Sequence, residues 1–152
     1  MNEANFNIKH AYGSGEINDA ALMIRKQVFV TEQSVPLDIE IDDLDKQTAH
    51  YVGFLNGTPV VTARIAENEA QTNWHIQRVA TVKDARGNGY AGKLLKQIIT
   101  DAQQANIQSL DLGAQVQAIG FYEKLGFNAT GPVFQEANID HRRMILKNYF
   151  AS

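Results

Sequence analysis

Apolar positions along this chain follow two periods, and the periods take turns. Ile17, Ala20, Ala21, Ile24 and Val28, with Phe29 beside them, recur at the spacing of one helix face and predict a helix over Ile17–Val30. Before it, the weak alternation of Asn5–Ala11 predicts a first strand, ended by Gly13-Ser14-Gly15. After it, Thr31–Gln47 is polar and acidic, holds Pro36, and predicts a loop with a short helical piece. Ala49–Leu55 and Pro59–Ala66 read as strands, and Asn56-Gly57 between them is a two-residue hairpin signal. His75–Val82 reads as another strand. In Gly89–Asn106, Leu94, Leu95, Ile98, Ile99 and Ala102 form one apolar stripe, the best helical pattern in the chain. Ser109–Ala114 predicts a short strand, and Gln117–Leu125 a helix stopped by Gly126. Phe127–Ala129 and His141–Lys147 read as closing strands. This order predicts an α/β (α+β) fold, a mixed sheet with helices on its faces.

Composition narrows the chemistry. A length of 152 residues with no repeat, linker or low-complexity tract predicts one domain, 1–152. The chain has 0 cysteines, which excludes a disulfide framework, thiolate metal ligands and a cysteine nucleophile; no metal site is expected. Its 14 basic and 17 acidic side chains give a net charge of −3, against the clustered cations that nucleic-acid binding requires. No apolar run is long enough to span a membrane. The start lacks a basic region followed by an apolar run, so the expected compartment is the cytoplasm.

Arg86-Gly87-Asn88-Gly89-Tyr90-Ala91-Gly92 sits between a predicted strand and the longest helix. Glycines let the backbone approach a ligand and take positive φ. Amide groups at a helix start, with the helix dipole, favour an anion, and Arg86 adds charge. The run lacks the Gly-Lys-Ser/Thr of a P-loop. It matches G-x-G-x-x-G formally, but the next strand ends Asp111-Leu112-Gly113, with Asp111 inside it rather than after it. On spacing alone, a phosphate cradle and a tight turn with glycines for local geometry both fit.

Arg86-Gly87-Asn88-Gly89-Tyr90-Ala91 resembles the Arg/Gln-x-x-Gly-x-Gly/Ala signature of the GNAT superfamily of N-acetyltransferases. Arg78-Val79-Ala80-Thr81-Val82 is similar to that family's cofactor strand, with Thr81 in place of the usual Val or Ile. Ala118 to Phe127, with its Phe121-Tyr122 and Gly126-Phe127, is similar to its second motif. Arg25 to Gln33, Asp42-Asp43-Leu44-Asp45, His50 and Phe134 to His141 look like small bacterial members.

The resemblance implies a GNAT fold whose sheet splays between strands 4 and 5. It implies acetyl-CoA as co-substrate, bound by Val79, Ala80, Thr81, Arg86, Gly87, Asn88, Gly89, Tyr90, Ala91, Gly92 and Phe121. It implies transfer of the acetyl group to a primary amine of a small molecule or peptide in a ternary complex, and a homodimer. Tyr122 stands where the family places a tyrosine near the coenzyme sulfur, the general acid. The base is open. His75 shares a strand face with Val79 by period two, and a histidine can relay an amine proton through water. Ordinary strand-end packing, the rivals His50, His141 and Glu40, and an unassisted route stay beside it. Glu40, His50, Arg64 and His141 are the candidate acceptor contacts. The acidic run Asp38 to Asp45 would attract a cation, while Arg25, Arg64 and Arg78 would hold an acid, so the sign of the acceptor stays undecided. A second reading of the same fold is a non-catalytic acyl-CoA sensor module.

Overall fold

A computed structural model describes residues 5–148. The chain divides into two compact units, Met1–Ile65 with Arg78–Leu94, and Ala66–Gln77 with Leu95–Ser152.

In the first unit, strands β1 (Phe6–Tyr12), β2 (Ala49–Leu55) and β3 (Thr58–Glu67) pair antiparallel in that order. The β2–β3 turn is Asn56-Gly57, with φ of 50° and 84°, the positive values that a two-residue hairpin demands. Gly53 is required for packing: a Cβ there would lie 2.5 Å from the Phe6 ring and 2.5 Å from Val61. Helix α1 (Glu16–Arg25) starts at the Gly15 turn and buries Ala21 and Ile24. The predicted helix Ile17–Val30 does not stay α-helical; from Lys26 to Glu32 it widens to a π-helix that buries Val28 and Phe29. The acidic stretch forms a single turn, α2 (Leu37–Glu40), and a 3-10 turn, Asp43–Gln47, whose Leu44 amide is capped by Asp42 at 3.1 Å. The far end of β4 (Asn73–Thr81) belongs here too, and the amide of Val82, just after it, donates to the Val60 carbonyl at 2.9 Å.

In the second unit, β4 pairs in parallel with β5 (Ser109–Gln115), from Asn73↔Ser109 to Ile76↔Leu112. Strand β5 pairs antiparallel with β7 (Ile139–Lys147), and β7 with β6 (Asn128–Glu136). Parallel neighbours need a crossover, and helix α3 (Tyr90–Gln104) supplies it. One sheet face is apolar and buried, with Ile76, Leu110, Leu112, Ala114 and Met144. By period two and register, the opposite face carries His75, Asp111, Gly113, Arg143, His141 and Phe134. Helix α4 (Ile119–Lys124) ends as expected at Gly126, φ 104°. The Phe127 amide bonds to the Tyr122 carbonyl, and the Gly126 amide to that of Glu123, the paired bonds of a Schellman stop.

Strand β6 is longer than its predicted Phe127–Ala129. The register shift between Thr130 and Phe134, which spans Gly131-Pro132, is a bulge, and pairing resumes to Glu136.

Candidate functional site

The glycine run lies in the first unit. Gly87 and Gly89 take φ of 81° and 79°, and a Cβ at either would meet nothing within 4 Å. Both are therefore needed for backbone conformation, and both face open space. The Gly89 carbonyl accepts from the Lys93 amide at 3.1 Å, which makes Gly89 the cap of α3. The amides of Tyr90, Ala91 and Gly92 form its first turn, where helical geometry supplies no internal acceptor. Asn88 closes the turn through its side-chain amide, bonded to the carbonyls of Ala85 (3.1 Å) and Arg86 (3.2 Å). Tyr90 stacks on Phe6 at 4.7 Å between centroids. Arg86 does not simply project its charge. Its Nε donates to the Thr81 carbonyl at 3.0 Å and its Nη2 to Glu32 at 2.7 Å, so the charge is fixed in place and shared.

The first unit also holds a network that sequence reading did not assemble. Arg25 and Arg64 are 1% exposed. Arg25 donates to Glu40 at 2.7 Å, to Asp45 at 2.8 Å and to the Glu40 carbonyl at 2.9 Å. Arg64 grips Asp42 with two bonds, 2.8 and 3.0 Å, and reaches Asp45 at 3.0 Å. Arg78 brings Nε within 3.0 Å of Glu40 and Nη2 within 3.4 Å of Asp42. Arg78 also takes φ 56° in the interior of β4, a left-handed conformation rare for a side chain of its size. Three arginines thus meet three carboxylates. Burial pushes the Asp42 carboxyl up, but the Arg64 bond and charge, the Leu44 amide and the Arg78 charge together outweigh it, and the net shift is downward. His50 is fully buried; its Nε2 lies 2.8 Å from the Asp45 carbonyl, which assigns the proton there, and Nδ1 has no partner. Burial lowers its pKa. Glu40, His50 and Arg64, candidate acceptor contacts by sequence, are therefore interior groups already engaged. The physical signal was charge of both signs, but no periodicity pairs Arg25 with Glu40 or Arg64 with Asp42.

In the second unit, register sets His75 opposite Asp111. The His75 Nδ1 lies 2.9 Å from Asp111 Oδ1, which also accepts from Asn73 Nδ2 at 3.0 Å; Asp111 Oδ2 accepts from Arg143 Nε at 3.3 Å. Burial pushes the Asp111 carboxyl up, yet the bonds from His75 and Asn73 and the His75 and Arg143 charges hold it at about 2. Tyr122 is buried, edge-on to Phe121 and Phe127, with ring centroids 5.0 and 5.9 Å away. Burial raises its hydroxyl pKa above the ordinary 10, so it stays protonated. Phe121 is partly exposed beside it. His141 is mostly buried, stacks on Phe134 at 5.8 Å, donates from Nδ1 to the Ile139 carbonyl at 2.7 Å and keeps Nε2 3.6 Å from Glu136. Phe134 in turn covers Gly113, where a Cβ would lie 3.0 Å from its ring.

Comparison with known proteins bears on the family of the chain. A family model described as an acetyltransferase (GNAT) domain matches residues 14–148. The Bacillus subtilis protein named uncharacterized N-acetyltransferase YjcF is 31% identical over 126 residues, 82% of this chain and 89% of that one. The crystal structure of an acyl-CoA N-acyltransferase from Pseudomonas aeruginosa superposes with a TM-score of 0.80 at 27% identity, covering 94% of this chain and 99% of that one. At 18% identity, a likeness of fold alone, yncA from Salmonella typhimurium has a TM-score of 0.69, with 97% and 96% covered, and was solved with its cofactor acetyl-CoA. Strand, glycine turn and helix stand in the order the GNAT signature requires, and the chain belongs to the GNAT acetyltransferase family.

Proposed function

We propose that this protein moves an acetyl group from acetyl-CoA to a primary amine by direct attack. The observation that carries the reading is the turn at Gly87 and Gly89, with positive φ and open space at each, opening onto the first-turn amides of α3. These residues fit a pyrophosphate, because that ligand needs unhindered N–H donors at a helix start. Gly87 to Gly92 would hold the phosphates, with Asn88 fixing the turn and Arg86 at its edge. The backbone of Val79, Ala80 and Thr81 would hold the pantetheine arm, and Phe121 is a further candidate contact for the coenzyme. When bound, acetyl-CoA supplies an activated thioester.

The chain's own groups do the rest. An amide of Val79 or Ala80 donates to the acetyl oxygen as charge builds on it. His75 takes the amine proton at Nε2. Tyr122 donates its proton toward the departing sulfur. Its raised pKa makes full transfer to a free thiolate, whose conjugate acid has a pKa near ~8.5, uphill, so donation is coupled to C–S cleavage. With 0 cysteines in the chain, no acyl-cysteine forms, which supports a single displacement.

The test is thiol release. The protein is mixed with acetyl-CoA and a panel of polyamines, amino acids, aminoglycosides and peptides, and free coenzyme A is followed by a thiol reagent. Release that depends on one amine class supports the proposal. Thermal stabilisation by acetyl-CoA with no release on any amine identifies a binding module instead. Stabilisation by a nicotinamide or adenine nucleotide, and none by coenzyme A, defeats both.

A further inference from the structure

His75 is a chemically ambiguous residue on its own: a histidine at 41% side-chain exposure on a strand can be surface decoration. Its surroundings are less ambiguous. Aspartate is a poor strand former, so Asp111 in the middle of β5 carries a local cost that something else must justify. Its side chain is only 14% exposed, and donors converge on it from two strands: His75 and Asn73 on β4, Arg143 on β7. Asn73 is itself oriented, because Ser109 Oγ donates to its Oδ1 at 2.8 Å. The carboxylate is thus immobilised on three sides. It accepts a hydrogen bond from the Nδ1–H of a ring whose other nitrogen, Nε2, lies on the far side from the carboxylate.

We propose that Asp111 is a positioning residue that makes His75 the base of the transfer, by fixing its ring, holding the proton on Nδ1 and balancing the charge the ring gains. The proposal rests on the reading of His75 as base given above. The proton balance is closed. Amine nitrogen bonds to the acetyl carbon, and its surplus proton passes to His75 Nε2. The C–S bond breaks, and the sulfur takes the Tyr122 proton. The Asp111 carboxylate stays ionised opposite the imidazolium, which then returns its proton through solvent to the Tyr122 oxygen. The same logic orients imidazoles in other active sites, where a second partner on one ring nitrogen sets the tautomer of the other. Asn73 and Arg143 act one step further out, by holding Asp111. A carboxylate that merely tied β4 to β7 would have no reason to act through the ring.

The experiment is a double-mutant cycle with acetyl-CoA and the panel amine that releases thiol fastest. Asp111→Asn is expected to lower kcat about 10–100-fold, with KM for acetyl-CoA unchanged, which lies at or below the usual contribution of a positioned base. His75→Gln should lower it at least as far. In the His75→Gln background, Asp111→Asn should then have no further effect, because its route to the reaction has been removed. Additive losses overturn the positioning role and leave His75 as base. An unaffected His75→Gln enzyme overturns both assignments while acetyl transfer itself still stands. Silence from every amine removes the transfer reading and this role with it.

A second measurement needs no active variant. In 15N-labelled wild-type protein at alkaline pH, the His75 ring, assigned by its loss in His75→Gln, should show the Nδ1–H tautomer, and Asp111→Asn should abolish that preference. An Nε2–H tautomer in the wild type overturns the proposal.

Discussion

Replacing Gly89 by alanine separates the conformational demand of the turn from its use. At φ 79° an L-residue is strained, and the cost of the left-handed region is roughly 1–2 kcal/mol. No clash adds to it, since the new Cβ meets nothing within 4 Å. At ~2–4 °C per kcal/mol for a chain of this size, the melting temperature should fall by about 2–8 °C. Coenzyme affinity should fall much further. A methyl group in the space beneath the turn pushes a phosphate off at least one amide, and a charge-assisted hydrogen bond of about 1.5–3 kcal/mol corresponds to a loss of roughly 10–150-fold. Gly57 provides the control: it has φ 84°, nothing within 4 Å, and sits in the β2–β3 hairpin. Gly57→Ala should lose the same stability and keep its affinity. Titration calorimetry with coenzyme A on both variants decides the matter. If Gly89→Ala binds as well as Gly57→Ala, the open space is not the phosphate site.

Three further outcomes are expected. Tyr122→Phe keeps the packing against Phe121 and Phe127 and removes only the hydroxyl; kcat should fall at least about 100-fold at unchanged coenzyme affinity, and an unchanged kcat would take Tyr122 out of the reaction. Asp111 has a folded-state pKa of about 2, below its ordinary 3.8, so its stabilising effect is complete above pH ~4 and fades as pH falls toward 2; of order 1–2 kcal/mol of acid sensitivity should vanish in Asp111→Asn, read by urea unfolding at pH 5 and pH 2.5. Arg25→Met removes a buried partner from both Glu40 and Asp45, leaving them Arg78 and Arg64, and should cost about 3–5 kcal/mol by denaturant unfolding, while a loss below about 1 kcal/mol would mean the network contributes little.

Local chemistry made much of this molecule readable in advance. Asn56-Gly57 specifies its hairpin because few residues tolerate two positive φ angles, and Gly126 specifies a helix stop for the same reason. The stripe from Leu94 to Ala102 could only be a helix with one buried face. What escaped was set by distant partners. The turn closing β6 and β7 is Ala137-Asn138, with φ of 51° and 62°, and alanine there gives no warning. The widening of the first helix at Lys26 has no local marker. Asp111 sits in plain view inside a strand, but alternation along β4 and along β5 cannot say which residues of the two strands face each other, so its pairing with His75 emerges only from the register. The arginine–carboxylate network escaped for the same reason: its members lie 15 to 22 residues apart or more.

That network also sorts the segment from Leu37 to Gln47 into two kinds of position. Glu40 and Asp45 are locked inside, whereas Leu37, Ile39, Ile41 and Leu44, interleaved with them, stand exposed. Substitution at the first kind takes a carboxylate partner from a buried arginine; substitution at the second kind disturbs no ion pair. A combinatorial library that freezes Glu40, Asp42 and Asp45 and randomises the four apolar neighbours would explore new surface chemistry on an intact frame. One that randomises the whole stretch would consist mainly of chains that cannot hold Arg25 and Arg64.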